Sequence, residues 1–328
     1  MNKKIVLLAT GGTISSTGAV KEANLSAKLK GEALKRDLPD TLCRNYDIEV
    51  IDFSVVNSTA LKPMEMIEMA QRINGILSKE DVAGVVVTHG TSLMEETSFV
   101  LDMLVDYGEK PVVITGAQRN ATYPWPDGMA NLNDAFQIVA SPKSRGMGVM
   151  VTFNGYIFEG FRLRKIHTAS LNAFSSGECG PLGTVFFDQI NFHRDRVRKH
   201  IPFKNIEESS VVIIPFYSGA STRYFESAVS FREQGIVVES VGLGNVNADY
   251  YEGIKMVREK GIPVVITSRC PDGHLIPMYA YKGGGASLKE LGVFFSNYSS
   301  YQARLLLMIL LGAGCTEEEM APYFDCNG

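Results

Sequence analysis

The stretch Ile5-Val6-Leu7-Leu8-Ala9-Thr10-Gly11-Gly12-Thr13-Ile14 runs five apolar residues into a glycine pair flanked by threonines. Val82 to Val87, followed by Thr88-His89-Gly90-Thr91-Ser92, repeats the arrangement. Apolar runs rich in β-branched residues and closed by glycine read as strands buried on both faces. Each run therefore sets a threonine hydroxyl, that of Thr13 or Thr91, just past the carboxyl end of a parallel strand. That is where open α/β sheets bind ligands.

Working outward, further runs of this kind are Ile48–Val56, Pro111–Ile114 and Gly146–Phe153, then Val211–Phe216, Ile236–Val241 and Pro263–Ser268. Amphipathic patterns between them predict helices over Pro63–Leu77, Met94–Val105, Asn131–Ala140, Tyr250–Lys260 and Gln302–Leu311. Alternation of strand and helix gives an α/β fold with a mainly parallel sheet covered on both faces. A chain of 328 residues is long for one core, so two unequal domains are expected. The polar stretch Asn191–Glu208, with Arg194, Asp195, Arg196, Arg198, Lys199 and His200, reads as the joint and as a solvated face. The expected division is 1–190 for the larger domain carrying most of the site, 191–210 for the linker and 211–328 for the smaller domain.

The net charge of −4 gives no reason to expect nucleic acid or an anionic membrane as a partner. Five scattered cysteines without C-x-x-C spacing argue against a disulfide framework or a zinc site and fit a reducing cytosol. The apolar start is too short for a signal sequence, and no run reaches the length of a membrane helix. A soluble cytoplasmic protein is expected.

Gly11 and Gly12 allow a sharp turn and close approach to a ligand, but no Gly-Lys-Ser/Thr follows, which excludes a P-loop. Ser92-Leu93-Met94-Glu95 matches a capping box for the helix that follows. Thr91 then lies at the positive end of that helix. His89 is read as a support of the turn, because no partner acid or cysteine for a general base is identifiable. A threonine hydroxyl requires a base, and Lys165 can serve if burial lowers its pKa.

On these residues the chain resembles the bacterial-type asparaginases, two-domain α/β amidohydrolases. The resemblance runs from Ile5 to Leu311. It rests on Thr10–Ile14, Thr88–Thr97, Thr115-Gly116-Ala117-Gln118-Arg119, Asp127-Gly128 with Asn131-Leu132, Lys165 with Phe174, Gly180–Gly183, Gly242–Asn245 and Gln302–Arg304. It implies Thr13 as nucleophile, Thr91 with Lys165 as activator and proton shuttle, and no metal or organic cofactor. It further implies substrate contacts at Gly12, Ser58, Thr59, Gly90, Ser92 and Ala117, and at Asn247 from a neighbouring subunit of a homotetramer.

Three positions depart from that pattern. Ser92 stands where the family carries the aspartate that holds the α-ammonium of free asparagine. Thr59 stands where glutamine is common. The loop near Ser15–Lys28 has no tyrosine to close over Thr13. Replacing a charge-assisted hydrogen bond by a neutral one weakens grip on a free amino acid by roughly 1–3 kcal/mol. The resemblance therefore implies hydrolysis of L-asparagine or a related amide. The alternatives are an amidase for substrates with a blocked or absent α-amine, and a non-catalytic small-molecule binder on the same scaffold. A tRNA-dependent amidotransferase subunit is disfavoured, because the chain begins at the first strand and its basic cluster is short.

Overall fold

The protein is described here from a computed structural model, which covers residues 2–17, 26–27, 30–36, 38–196, 200–202 and 205–324. The chain forms two compact units, Met1–Phe203 and Lys204–Gly328.

In the first unit, strands Asp47–Val56, Lys4–Gly11, Val82–Thr88, Val112–Thr115 and Val149–Phe153 lie side by side in that spatial order, all parallel. Tyr156–Glu159, Gly183–Phe186 and Gln189–Phe192 extend the sheet in antiparallel fashion to its far edge. The predicted mainly parallel α/β fold is the one observed. Strand Lys4–Gly11 is buried on both faces, as its unbroken apolar run requires. Ile5 and Leu7 join a core with Leu132, Ala135 and Phe136 of helix Gly128–Ala140. Val6 and Leu8, which alternate with them, are buried just as fully. Helix Pro63–Leu77 begins with proline at its first turn, and Glu65 accepts from the Lys62 backbone N–H at 2.7 Å.

The order of the parallel strands reverses between Lys4–Gly11 and Val82–Thr88. The second strand in sequence lies on one side of the first, and the third lies on the other. A crevice opens beyond the carboxyl ends at such a point. Both threonine-bearing turns leave the sheet there.

The antiparallel edge gave no signal in the sequence. Its hairpin turns through Phe187 and Asp188, both at positive φ (49° and 61°), with none of the glycine or asparagine that marks such turns. The expected solvated stretch after it is also corrected. Asn191 and Phe192 belong to the edge strand. The Arg194 guanidinium donates to Glu159 Oε2 at 2.7 Å, and Arg196 pairs with Asp102 and donates to the Met147 carbonyl. Asp102 and Glu159 are wholly buried, and a buried carboxylate demands a partner. That demand draws the two arginines inward. Arg198 and Lys199 lie outside the described residues.

In the second unit, Val211–Pro215, Gly235–Ser240, Val264–Ser268 and Phe294–Phe295 form a parallel four-stranded sheet. Its core gathers Phe225, Tyr250, Ile254 and Ile266. Helix Ser300–Gly312 starts on a reciprocal cap between Ser299 and Gln302. Among the described residues no helix is long and apolar enough to cross a membrane.

Candidate active site

The two turns at the strand reversal are locked together by the absence of side chains. Gly12 adopts φ 82° and ψ −173°, a conformation essentially confined to glycine. A Cβ there would fall 2.5 Å from the Gly90 nitrogen, and a Cβ on Gly90 would fall 2.5 Å from Ser58 Oγ. Gly12, Gly90 and Ser58 are therefore stacked in close contact. Hydrogen bonds fix the same junction, since Thr10 Oγ1 donates to the Thr88 carbonyl at 2.8 Å. Ser16 Oγ donates back to the Gly12 carbonyl at 2.9 Å.

Thr13 opens the short helix Thr13–Ser15 and is half-buried, with no side-chain hydrogen bond to any described residue. Thr91 is buried, and its hydroxyl accepts from Lys165 Nζ at 2.8 Å. Lys165 sits on the two-residue strand Arg164–Lys165, paired with Phe174 in register. The Phe174 ring packs edge-on against Phe153. Burial pushes the Lys165 amine below the ordinary lysine range, with the Glu95 charge opposing. Glu95, read in the sequence only as the acid of a capping box, accepts from the Lys165 backbone N–H at 2.8 Å. Burial raises its carboxyl, offset by that hydrogen bond and by the charges of Arg164 and Lys165.

This engagement corrects the capping box. Helix Met94–Leu104 takes Leu93 as its N-cap, without a side-chain cap bond, and Ser92 is exposed. The Glu95 carboxylate that would have reached back along the helix goes to Lys165 instead. His89 is buried between two partners. Nδ1 donates to the Gly90 carbonyl at 2.7 Å, leaving Nε2 to accept from Thr97 Oγ1 at 3.0 Å. Burial drives its pKa down to about 4, so the ring is neutral at pH 7 and its two nitrogens are committed to the turn.

Ala117 is buried just past strand Val112–Thr115. Asp127 holds the following loop by accepting from the backbone N–H groups of Gln118 and Arg119 at 3.0 and 2.8 Å. Asn131 donates to the Gly116 carbonyl at 3.0 Å. Thr59 is exposed beside buried Ser58 on the short helix Ser58–Ala60. Asn247, in the second unit, caps helix Ala248–Arg258 by accepting from Tyr250 N at 2.9 Å, and its Nδ2 donates to the Ala220 carbonyl at 2.8 Å. Of the expected loop 15–28, residues 18–25 and 28 lie outside the described residues. Among the described residues no three His, Cys, Asp or Glu side chains are grouped to hold a metal. Among the described residues, Cys43, Cys179, Cys270 and Cys315 are not joined in disulfides.

A buried hydroxyl touching a half-buried amine, beside a second hydroxyl on the adjoining turn, is equipment for acyl transfer. The model of the N-terminal asparaginase domain matches residues 4–198 and that of the glutaminase/asparaginase C-terminal domain residues 210–324, so the chain belongs to the asparaginase family of amidohydrolases. A probable L-asparaginase of Deinococcus radiodurans is 32% identical over 98% of this chain and 97% of its own length. A probable periplasmic L-asparaginase of Haemophilus influenzae is 31% identical over 98% and 92%. The crystal structure of a probable cytoplasmic L-asparaginase from Campylobacter jejuni matches with a TM-score of 0.88 at 28% identity. It covers 98% of this chain and 99% of that one.

Proposed function

We propose that the protein hydrolyses the side-chain amide of L-asparagine or a related amide to the acid and ammonia, with Thr13 as nucleophile. The observation that carries this reading is the 2.8 Å contact between Lys165 Nζ and Thr91 Oγ1. With the amine neutral, the Thr91 hydroxyl can donate to Nζ, and the pair can pass a proton between the nucleophile and the leaving group. Thr13 Oγ1 adds to the amide carbon and gives up its proton. The C–N bond breaks, the nitrogen leaves as ammonia with that proton, and a threonyl ester remains. Water then adds to the ester, releasing the carboxylic acid and restoring the hydroxyl. Gly12, Ser58, Gly90 and Ala117 frame the substrate, with Ser58 receiving its α-carboxylate. No metal or organic cofactor takes part.

The reading extends to a cytoplasmic homotetramer in which Asn247 reaches the site of a neighbouring subunit. Four described cysteines outside any disulfide accord with a reducing compartment. Sedimentation would test the assembly, and a monomer with full activity would refute it.

A second reading is favoured by Ser92. It is neutral and exposed, and the acid three residues on, Glu95, is engaged with Lys165. A substrate with a blocked or absent α-amine fits this site better than a free amino acid. Ammonia release from L-asparagine, L-glutamine, D-asparagine and N-acylated amides, with Thr13→Ala as control, tests both readings. Unchanged activity in Thr13→Ala removes the first, and strong turnover of free asparagine with a low KM removes the second.

A further inference from the structure

The only tryptophan of the chain, Trp125, is 75% exposed. Its loop is nevertheless a braced one. Asp127 ties down the backbone at Gln118 and Arg119. Arg119 Nη1 donates to the Trp125 carbonyl at 3.2 Å while its guanidinium lies 5.4 Å from the centre of the Tyr123 ring. Pro124 and Pro126 flank the indole, fixing φ on either side. Tyr123 is itself 40% exposed. An apolar ring held out in water by so many constraints is suited to receiving another apolar surface.

The loop's attachments place it at the site. It leaves strand Val112–Thr115, whose Thr115 pairs with Thr88, and the His89 N–H donates to the Thr115 carbonyl at 2.8 Å. The turn bearing Ser92 and the loop bearing Trp125 thus depart from neighbouring strand ends. Farther along, Ala121 N donates to the Ser16 carbonyl at 3.3 Å, just past the helix that carries Thr13. Between these anchors, Gln118 Nε2 is a buried donor with no acceptor among the described residues. Such a donor calls for a carbonyl oxygen.

Resting on the amidohydrolase reading above, we infer that Trp125, in the loop it shares with Tyr123, is a specificity-determining platform for the acyl group of an N-acylated asparagine-type substrate. The side-chain amide enters at Thr13. The α-nitrogen, acylated and therefore uncharged, passes neutral Ser92. Its acyl carbonyl meets Gln118 Nε2, and the aromatic or apolar body of the acyl group stacks on Trp125. A free α-ammonium finds neither a carboxylate nor a use for the indole.

The test uses the full chain with L-asparagine, N-acetyl-L-asparagine and N-benzoyl-L-asparagine. N-benzoyl-L-asparagine is expected to have the highest kcat/KM. Trp125→Ala is expected to raise its KM about tenfold, while kcat and the acetyl compound's KM stay within about twofold. Because Trp125 is the sole indole, its fluorescence in the Thr13→Ala variant reports binding without turnover. Saturable change is expected with the benzoyl compound and none with asparagine. Ammonia from the benzoyl compound with an unmoved KM in Trp125→Ala, or with no fluorescence response, overturns the platform and leaves the hydrolase intact. Absence of ammonia from every compound, with the fluorescence response present, defeats the hydrolase reading and still supports the platform.

Discussion

Thr13 and Thr91 each follow a buried strand by way of a glycine, and the two strands are neighbours in the sheet. Their surroundings then diverge. Thr91 is buried and held by Lys165, which is backed by Glu95 and by pairing with Phe174. Thr13 is half-buried, its hydroxyl unclaimed by any described side chain, at the edge of a turn that only glycine can form. One hydroxyl is held in place and the other is not. On the reading proposed above, that asymmetry is what a nucleophile and its activator require.

The comparison can be broken most directly at Thr13. Thr13→Ala should lower kcat about 10⁴-fold or more with folding unchanged, and Thr91→Val giving the larger loss would reverse the two roles. Lys165→Met should cost about 10²–10⁴-fold and abolish the alkaline dependence of the rate. In the parent protein the working amine must be unprotonated, so kcat/KM should rise with pH along a limb lying below 10.5. A rate independent of pH through that range would remove Lys165 as the base. Gly12→Ala tests the junction itself, where backbone strain and the contact with Gly90 should together cost about 3–5 kcal/mol of stability, read from denaturant midpoints.

His89 sharpens the contrast from the other side, since its turn is set by a neutral ring. The unfolded chain binds a proton near 6.5, which the folded one refuses until about 4. Its contribution is therefore complete above 6.5 and lost as pH falls through that window, by up to about 3 kcal/mol. Denaturation at pH 7 and pH 4.5 should show the loss, and His89→Gln should flatten it. The smallest effect is expected from Glu95→Gln, which removes the charge favouring protonated Lys165 and should move the alkaline limb to lower pH. Movement to higher pH would mean that Glu95 acts mainly through structure.

The strand runs were legible because a strand buried on both faces has no polar alternation to obscure it. The positions of Thr13 and Thr91 followed from those strand ends alone. Lys165 did not, because it meets Thr91 across 74 positions of sequence and local spacing cannot carry that information. Chemistry offered Lys165 as a base if buried, and resemblance paired it with Thr91. The misread capping box has the same origin, since a distant backbone N–H outcompeted the local one for Glu95. Arg194 and Arg196 looked like surface charge because their partners, Glu159 and Asp102, lie 35 and 94 positions away in sequence. Asp127 and Asn131 were noticed as motif residues, yet their work in holding the Gly116–Arg119 backbone required three-dimensional neighbours to be seen.

The inward-turned arginines also bear on where the larger unit can be severed. Asp102 lies two turns along the helix whose first turn carries Glu95. A chain ending at residue 190 would keep both enclosed carboxylates, leave Glu159 with Arg162 but strip Asp102 of its Arg196 guanidinium, and discard half of the edge strand. An orphaned enclosed charge typically costs about 3–5 kcal/mol, comparable to much of a domain's whole margin. Autonomous folding of the larger unit should thus tolerate cuts beyond residue 202 and fail for cuts before Arg194.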